Sequence, residues 1–484
     1  MSDTGRIHNP LPSSLRRIVL GDSMRAAVKH VLPFMVMVDR AHLLMLHERG
    51  ILSKETVRKL LILIERLESK RFAPLAEREP IRGEYLAYEN YLIERLGPEV
   101  GGALPTARSR NDLGATVLRL RLRRPFMSLL AETLRLATVL TRRAREFADT
   151  VLPLYTHYRP AVPSTLGHYF VALATGLERD LRSLLQAGDD LNRCPLGAGA
   201  VGGTSLPIDN NKTAALLGFR GPASNSIDAV ASRDVVLRLL SAATILWVTL
   251  SRLATDILIW SSEEFGFFKL PDSLVGSSSS LPQKTNPFLL EHVQARGASA
   301  AGAFASAVNA MQSKPYTNSV AVGTEGVRHA FAALEDVRQS AQIMRRVVEG
   351  LRPRPEAMLD RARRGYVATT HLAEKLSQTS GMSFREAHKM MGQIVRQAIE
   401  EEVDLGDAAS AFPEAAKLNL NAIDFLALTK AQKYGGGPGS LGAQLRSLDQ
   451  AFCQLRETLS SLRQRHRRAN ATLSRQVRAV IHDS

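Results

Sequence analysis

Residues 233–261 read RDVVLRLLSAATILWVTLSRLATDILIWS. After the first turn only Arg238, Arg252 and Asp256 carry charge, and apolar side chains fall on every face of a 3.6-residue turn. A helix of this kind has to be enclosed by other helices. Stretches from about Arg124 to Thr150, Ser164 to Gln186, Leu290 to Gln312 and Arg328 to Leu351 carry the same spacing. Such helices are roughly twice the usual globular length of about 11–12 residues. Alternating runs of β-branched and polar residues are scarce, so the pattern predicts an all-α fold. Long helices that are apolar on several faces commonly meet their own copies, which predicts an elongated central bundle shared in an oligomer.

At 484 residues the chain exceeds one compact core. Its 45% apolar and 23% charged residues exclude wholesale disorder. The two cysteines, Cys194 and Cys453, have no neighbours at metal-ligand spacing, which argues against a disulfide framework or a zinc site and for a reducing cytoplasm. Met1 to Pro12 is polar and does not read as a secretory signal. The uncharged run Leu239–Ser251 falls short of the roughly 20 residues a bilayer requires, so no membrane association is expected. A net charge of +16 fits either nucleic acid or a small anionic substrate. Its only dense cluster is Arg463, Arg465, Arg467 and Arg468, without aromatic interleaving, so no nucleic-acid binding is expected.

Ser53 is a plausible N-cap for a helix whose inner face is Val57, Leu60, Leu61, Ile64 and Leu67. Breaks fall at Arg108–Asp112, Gly197–Ser205, Pro271–Pro287, Arg352–Pro355 and Gly435–Gly439. After the last, Leu441, Leu445, Leu448, Phe452, Leu455, Leu459 and Leu462 recur as a heptad-like seam. The expected division is three helical domains: 1–111, a central long-helix bundle over 112–360, and 361–484.

The run Gly276-Ser277-Ser278-Ser279-Ser280-Leu281-Pro282-Gln283-Lys284-Thr285-Asn286-Pro287 is a mobile polar loop ahead of a helix. One cation and one amide near a helix N-terminus suit an anion; the plain alternative is a solvated linker. As a whole string it resembles the Gly-Ser-Ser-x-Met-Pro-x-Lys-x-Asn-Pro signature of the fumarase/aspartase superfamily. Anchored on Pro282, Lys284, Asn286 and Pro287, the family's catalytic serine falls on Ser278, with Ser277 and Leu281 replacing glycine and methionine. A register anchored on Gly276 selects Ser277 instead but needs an insertion.

Thr106-Ala107-Arg108-Ser109-Arg110-Asn111-Asp112 is similar to the argininosuccinate lyase family's His-Thr-Gly-Arg-Ser-Arg-Asn-Asp, and Tyr155-Thr156-His157 to its Tyr-Thr-His. The blocks Pro195–Ala200 with Gly203–Ser205, and Asn225–Val230 with Arg233-Asp234, also match, in family order from about residue 20 to about 395. The resemblance implies a homotetramer whose active sites each draw on three subunits, with no cofactor and no metal. It implies a small anionic substrate, an N-substituted aspartate, from which fumarate and an amine are released. Ser278 would act as base, Lys284 and Asn286 would receive the charge developing on a carboxylate, and Ser109, Asn111 and Thr156 would grip the carboxylates. Arg110 suits a bidentate carboxylate clamp on general grounds. His157, oriented by Glu291, would pass a proton to the departing amine; its plain alternative is a helix-end histidine with a structural hydrogen bond. Ser23 would lie near the substrate's distal end, or simply cap a helix.

Three departures bear on the amine. Pro105 and Ala107 replace the histidine and glycine of the first motif, and Tyr158–Pro163 loses two family glutamines. The family's Tyr-Asn-Arg-Asp-Met-Gln-Glu-Asp-Lys, which contacts the arginine half of argininosuccinate, reads Tyr316-Thr317-Asn318-Ser319-Val320-Ala321-Val322-Gly323-Thr324, small and largely apolar. Unpartnered polar groups there would cost roughly 1–3 kcal/mol each. The sequence therefore predicts the same elimination with a different amine, contacted by Lys314 and Tyr316, as in ethylenediamine-disuccinate lyase. Authentic argininosuccinate lyase and a non-catalytic structural paralogue are the competing readings.

Overall fold

The computed structural model describes residue 9 and residues 11–21, 23–80, 82–416, 418 and 420–482. Its principal helices are Leu32–Glu48 (α1), Lys54–Ser69 (α2), Arg110–Glu146 (α3), Leu166–Ala187 (α4), Asp234–Trp260 (α5), Phe288–Met311 (α6), Ala330–Gly350 (α7) and Leu441–His482 (α8). Two hairpins matter for the site: Val151–Thr156 (β1) with Arg159–Thr165 (β2), and Gly276–Ser277 (β3) with Thr285–Asn286 (β4). The fold is mainly helical, as the periodicity requires.

Helices α3 to α7 form an up-and-down bundle. The chain leaves α3, makes the β1–β2 hairpin and returns, with the Gly167 amide donating to the Phe147 carbonyl at 3.0 Å. The start of α4 meets the end of α5, where the Tyr169 hydroxyl donates to Asp256 at 2.6 Å and packs edge-on against Trp260. The start of α6 lies beside the same end, since Gln294 donates to the Thr255 hydroxyl at 2.8 Å. Arg143 near the end of α3 donates to the Leu351 carbonyl just beyond α7. The bundle therefore has two ends, a capped end at Ser109 and a hairpin end at β1–β2.

Helix α3 starts well before the expected Arg124. Ser109 and Asp112 form a capping box, and an inward face of Leu118, Leu122, Phe126 and Leu129 runs straight through Pro125. Proline is favoured in a first turn, so Pro125 resembles a helix start. Here it lies inside 37 helical residues, a rod of about 55 Å. Helix α5 is also longer than its uncharged run; its 27 residues would reach across a bilayer, but they pack on α4, α6 and α7.

Three larger apolar cores result among the described residues, beside a minor cluster of Ala198, Ala229 and Val230. The central one joins α3 to α7, the N-terminal one joins α1 and α2 to the 194–219 segment, and a small one occupies residues 362–425. Helix α8 bypasses the small core. Its seam of Leu441, Leu445, Leu448, Phe452, Leu455 and Leu459 is buried on the central bundle, and Leu473 and Val477 complete the N-terminal core. We propose that the small C-terminal unit closes ahead of α8.

Candidate active site

The capped end of the bundle is assembled around Asp112. Its Oδ1 accepts the Ser109 and Leu113 amides at 2.9 Å, and its Oδ2 accepts the amides of Gly197 at 2.9 Å and Gly199 at 3.0 Å. One buried carboxylate thus starts α3 and ties down the glycine loop beside it. Gly197 has φ +100°, and a Cβ there would lie 2.3 Å from the Asn210 Oδ1, so any other residue would be strained and would displace that side chain.

Ser109 is the N-cap of α3, accepting the Asn111 amide at 3.3 Å. The Asn111 side chain donates to the Ala200 carbonyl at 3.3 Å and accepts from Asn318 at 3.0 Å. Tyr316 donates to Asp228 at 2.6 Å, a bond that holds its hydroxyl above the ordinary tyrosine range. Arg110 lines a cavity of about 270 Å³ together with Arg82, Arg121, Glu84 and Tyr85. Four sequence blocks thus meet at this end. The Tyr316–Thr324 segment is polar where it touches the other blocks, which corrects its reading as small and largely apolar. Asn318, Asp228 and Asp112 were missed as participants. Lys314 is exposed and makes no hydrogen bond or ion pair among the described residues.

Behind this surface Arg108 and Asp39 form a fully buried ion pair at 2.6 Å, and Tyr88 donates to the same carboxylate at 2.8 Å. His42 bonds the Thr106 carbonyl through Nε2 at 2.8 Å, and burial, aided by Arg108, pushes it down to about 3. Burial pushes Tyr85 beside them up to about 12. The loop leading into Ser109 is therefore anchored from within. The sign that could have revealed it is Asp39, the lone acid of the mainly apolar stretch from Leu32 to Leu46. Ser23 does not cap a helix: Met24 is the N-cap of the short helix that follows, without a side-chain bond.

The candidate acid–base groups sit at the other end. The register Thr156↔Arg159 makes His157 and Tyr158 a two-residue turn, with φ of 50° and 60°, as type I′ geometry demands. His157 is thus at an exposed hairpin tip, not a helix end. In the β3–β4 hairpin, pairing of Ser277 with Thr285 leaves residues 278–284 as its tip. The Ser278 Oγ accepts the amides of Leu281 at 3.1 Å and Ser280 at 3.4 Å. No such bonds reach the Ser277 hydroxyl among the described residues. Lys284 is exposed, Asn286 is held in the β-ladder, and Glu291 lies exposed in the first turn of α6. Glu291 does not orient His157 within one chain: no hydrogen bond or ion pair joins them among the described residues. Nor does any join either group to Ser109–Asn111 across the length of α3.

Residues 81–302 match a lyase family model, and residues 366–425 the argininosuccinate lyase C-terminal model. The argininosuccinate lyase of Thermus thermophilus is 41% identical over 374 residues, 76% of this chain and 80% of its own. That of Methanothrix thermoacetophila is 37% identical over 392 residues, 81% and 79% of the two chains. An EDDS lyase variant with bound fumarate superposes with a TM-score of 0.84 at 29% identity, covering 95% of this chain and 93% of its own. Sequence blocks, bundle and relatives converge: the chain belongs to the argininosuccinate lyase family of the fumarase/aspartase superfamily and is a carbon–nitrogen lyase that releases fumarate.

Proposed function

We propose that the chain splits argininosuccinate into arginine and fumarate, in a homotetramer whose sites each combine both bundle ends from different subunits. The observation that carries the substrate is the identity of 37–41% to argininosuccinate lyases over three quarters or more of the chain. Polar contacts from Tyr316 and Asn318 to the Asp228 and Asn111 blocks agree with a polar leaving group.

Ser278 Oγ removes the proton from the carbon beside a carboxylate. Two backbone amides already directed at that oxygen favour its charged form, which a serine base requires and which supports Ser278 over Ser277. The electron pair moves into the carboxylate, where Lys284 and Asn286 meet the added charge. The pair then returns to form the double bond as the carbon–nitrogen bond breaks, and His157, paired with Glu291 of another chain, protonates the departing amine. Ser109, Arg110, Asn111 and Thr156 hold the carboxylates, and Ser23 and Lys314 lie toward the distal end.

Support for the assembly comes from α5. Only 44% of its most apolar stretch is buried within one chain, and Ile245 and Val248 remain about half exposed. Packing such faces antiparallel about a two-fold axis brings the capped end of one protomer to the hairpin end of another. A soluble, cytoplasmic enzyme fits this reading.

The different-amine reading keeps one observation in its favour: the family's Arg-Asp and Gln-Glu-Asp-Lys are absent from 316–324. Incubating purified protein with argininosuccinate and following fumarate absorbance separates the two. Robust turnover supports the proposal; failure, combined with fumarate consumption in the presence of another amine, establishes the second reading.

A further inference from the structure

The cavity of about 270 Å³ at the capped end extends along one face of α3, where Arg110, Gly114, Leu118 and Arg121 line it at helical spacing. From Arg110 to Arg121 the helix rises about 16 Å. Val31, Met35 and Val117 add apolar wall, and Glu84 and Gly323 also border the space. A Cβ at Gly114 would meet nothing within 4 Å, so the missing side chain leaves the groove open there. The groove adjoins the proposed substrate site: Arg110 belongs to both, and a Cβ on Gly323 would stand 2.9 Å from the Oδ1 of Asn318, the partner of Asn111.

Two charged groups in this groove lack partners. Half-buried Arg121 stacks on Phe331, its guanidinium carbon 4.4 Å from the ring centroid, and makes no hydrogen bond or ion pair among the described residues. A stacked guanidinium keeps its N–H edge for an acceptor in its own plane. The acid whose field reaches Arg121 is Glu84, which stands beyond ion-pair distance. Glu84 likewise makes no hydrogen bond or ion pair among the described residues. Burial pulls Arg121 below the ordinary arginine range, as it does for a cation short of a counter-ion. Tyr85 and Arg82, by contrast, are engaged by Glu89 and by the Asn9 carbonyl. One unpaired guanidinium and one unpaired carboxylate beside an apolar wall complement a ligand that carries a carboxylate, an ammonium and a methylene chain.

We propose that this groove receives the leaving amine and that the amine is an amino acid, with its carboxylate on the Arg121 guanidinium and its ammonium on Glu84. The inference rests on the elimination proposed above and specifies its leaving group. Arg110 is occupied by the carboxylates of the fumarate half, so the chain of the amine passes along Met35 and Val117 to reach Arg121. Helix α3 thereby supplies a cation in place of the family's Arg and Lys, which are absent from 316–324.

The test runs the full-length protein in the addition direction and follows loss of fumarate absorbance with arginine and with agmatine, which is arginine without its carboxylate. The wild-type protein is expected to favour arginine by at least about tenfold in kcat/KM. Arg121→Gln should lower the arginine value to that of agmatine, through KM, and leave agmatine unchanged; Arg121→Lys should restore part of the preference. Gly114→Leu fills the groove and should raise KM for arginine at least about tenfold without lowering Tm, since leucine outranks glycine inside a helix. Equal use of arginine and agmatine by the wild-type protein, or an unchanged preference in Arg121→Gln, overturns the groove assignment alone and leaves argininosuccinate cleavage standing. Consumption of neither amine overturns the substrate proposal and this inference with it.

Discussion

Asn111 and Ser278 stand at opposite ends of a helix of 37 residues, about 55 Å, in one protomer. Even if the β1–β2 and β3–β4 hairpins folded back along the bundle, their few residues would not close that distance. If both belong to one site, as proposed, that site takes its capped end from one chain and its serine loop from another. Two single variants, Asn111→Ala and Ser278→Ala, are each expected to lose about 10²–10⁴ of turnover. In a one-to-one mixture with free subunit exchange, some sites regain both parts. Each such site draws its capped end from the Ser278→Ala chain and its loop from the Asn111→Ala chain. Independent assortment makes this about a quarter of all sites. Mixing two nearly dead proteins should thus recover roughly 25% of wild-type fumarate release, far above either background. The assay is ultraviolet absorbance of fumarate after co-refolding, with native mass spectrometry to confirm mixed oligomers. If mixed oligomers form and activity stays at background, the split-site reasoning is wrong.

Asp39→Ala leaves Arg108 buried and unpaired and should cost about 3–5 kcal/mol, read as a lowered urea midpoint; an unchanged midpoint would remove the internal anchor. Gly197→Ala combines a left-handed backbone with a clash on Asn210 and should destabilise by about 1–3 kcal/mol, measured the same way. Tyr158→Gly relieves one strained turn position and should raise stability by about 1 kcal/mol; a fall in Tm would mean that the exposed ring supports the hairpin. Buried His42 is held down to about 3, so between there and its ordinary 6.5 the unfolded chain binds a proton that the folded chain does not. Stability should therefore fall as pH drops from about 6.5 toward 3, and His42→Gln should flatten that slope in denaturant titrations.

Where an element is governed by its own periodicity, the sequence was enough. The limits of α4, α5, α6 and α7 lie within about two residues of those read from apolar spacing. The α8 seam likewise follows from its leucines. The first part of α3 escaped because Pro125 imitates a helix start, and the β1–β2 hairpin because Pro153, Pro160 and Pro163 read as loop. For the proposed site, local motifs single out Asn111, Thr156 and Ser278. What was hidden depends on partners distant in the chain. Asn318 reaches Asn111 across 207 positions, and Asp112 holds Gly197 across 85. No local pattern records such pairings, because either residue is compatible with many neighbours until the bundle sets them side by side.

Under the proposed mechanism, that placement lets substrate and chemistry be varied separately. The segment that departs most from the family, 316–324, touches Asn111 and Asp228 at the capped end, whereas Ser278, Lys284 and His157 lie beyond the far end of α3. Changing the former does not move the two amides directed at the Ser278 oxygen, which are supplied within its own loop. Asn318→Ala removes one hydrogen bond on Asn111, worth about 0.5–1.5 kcal/mol, and should raise KM by roughly three- to tenfold. The pH dependence of kcat, set at the other end, should keep its shape. A shifted kcat profile with unchanged KM would show instead that the amine segment acts on the proton-transfer groups, and the separation of roles along the bundle would fail.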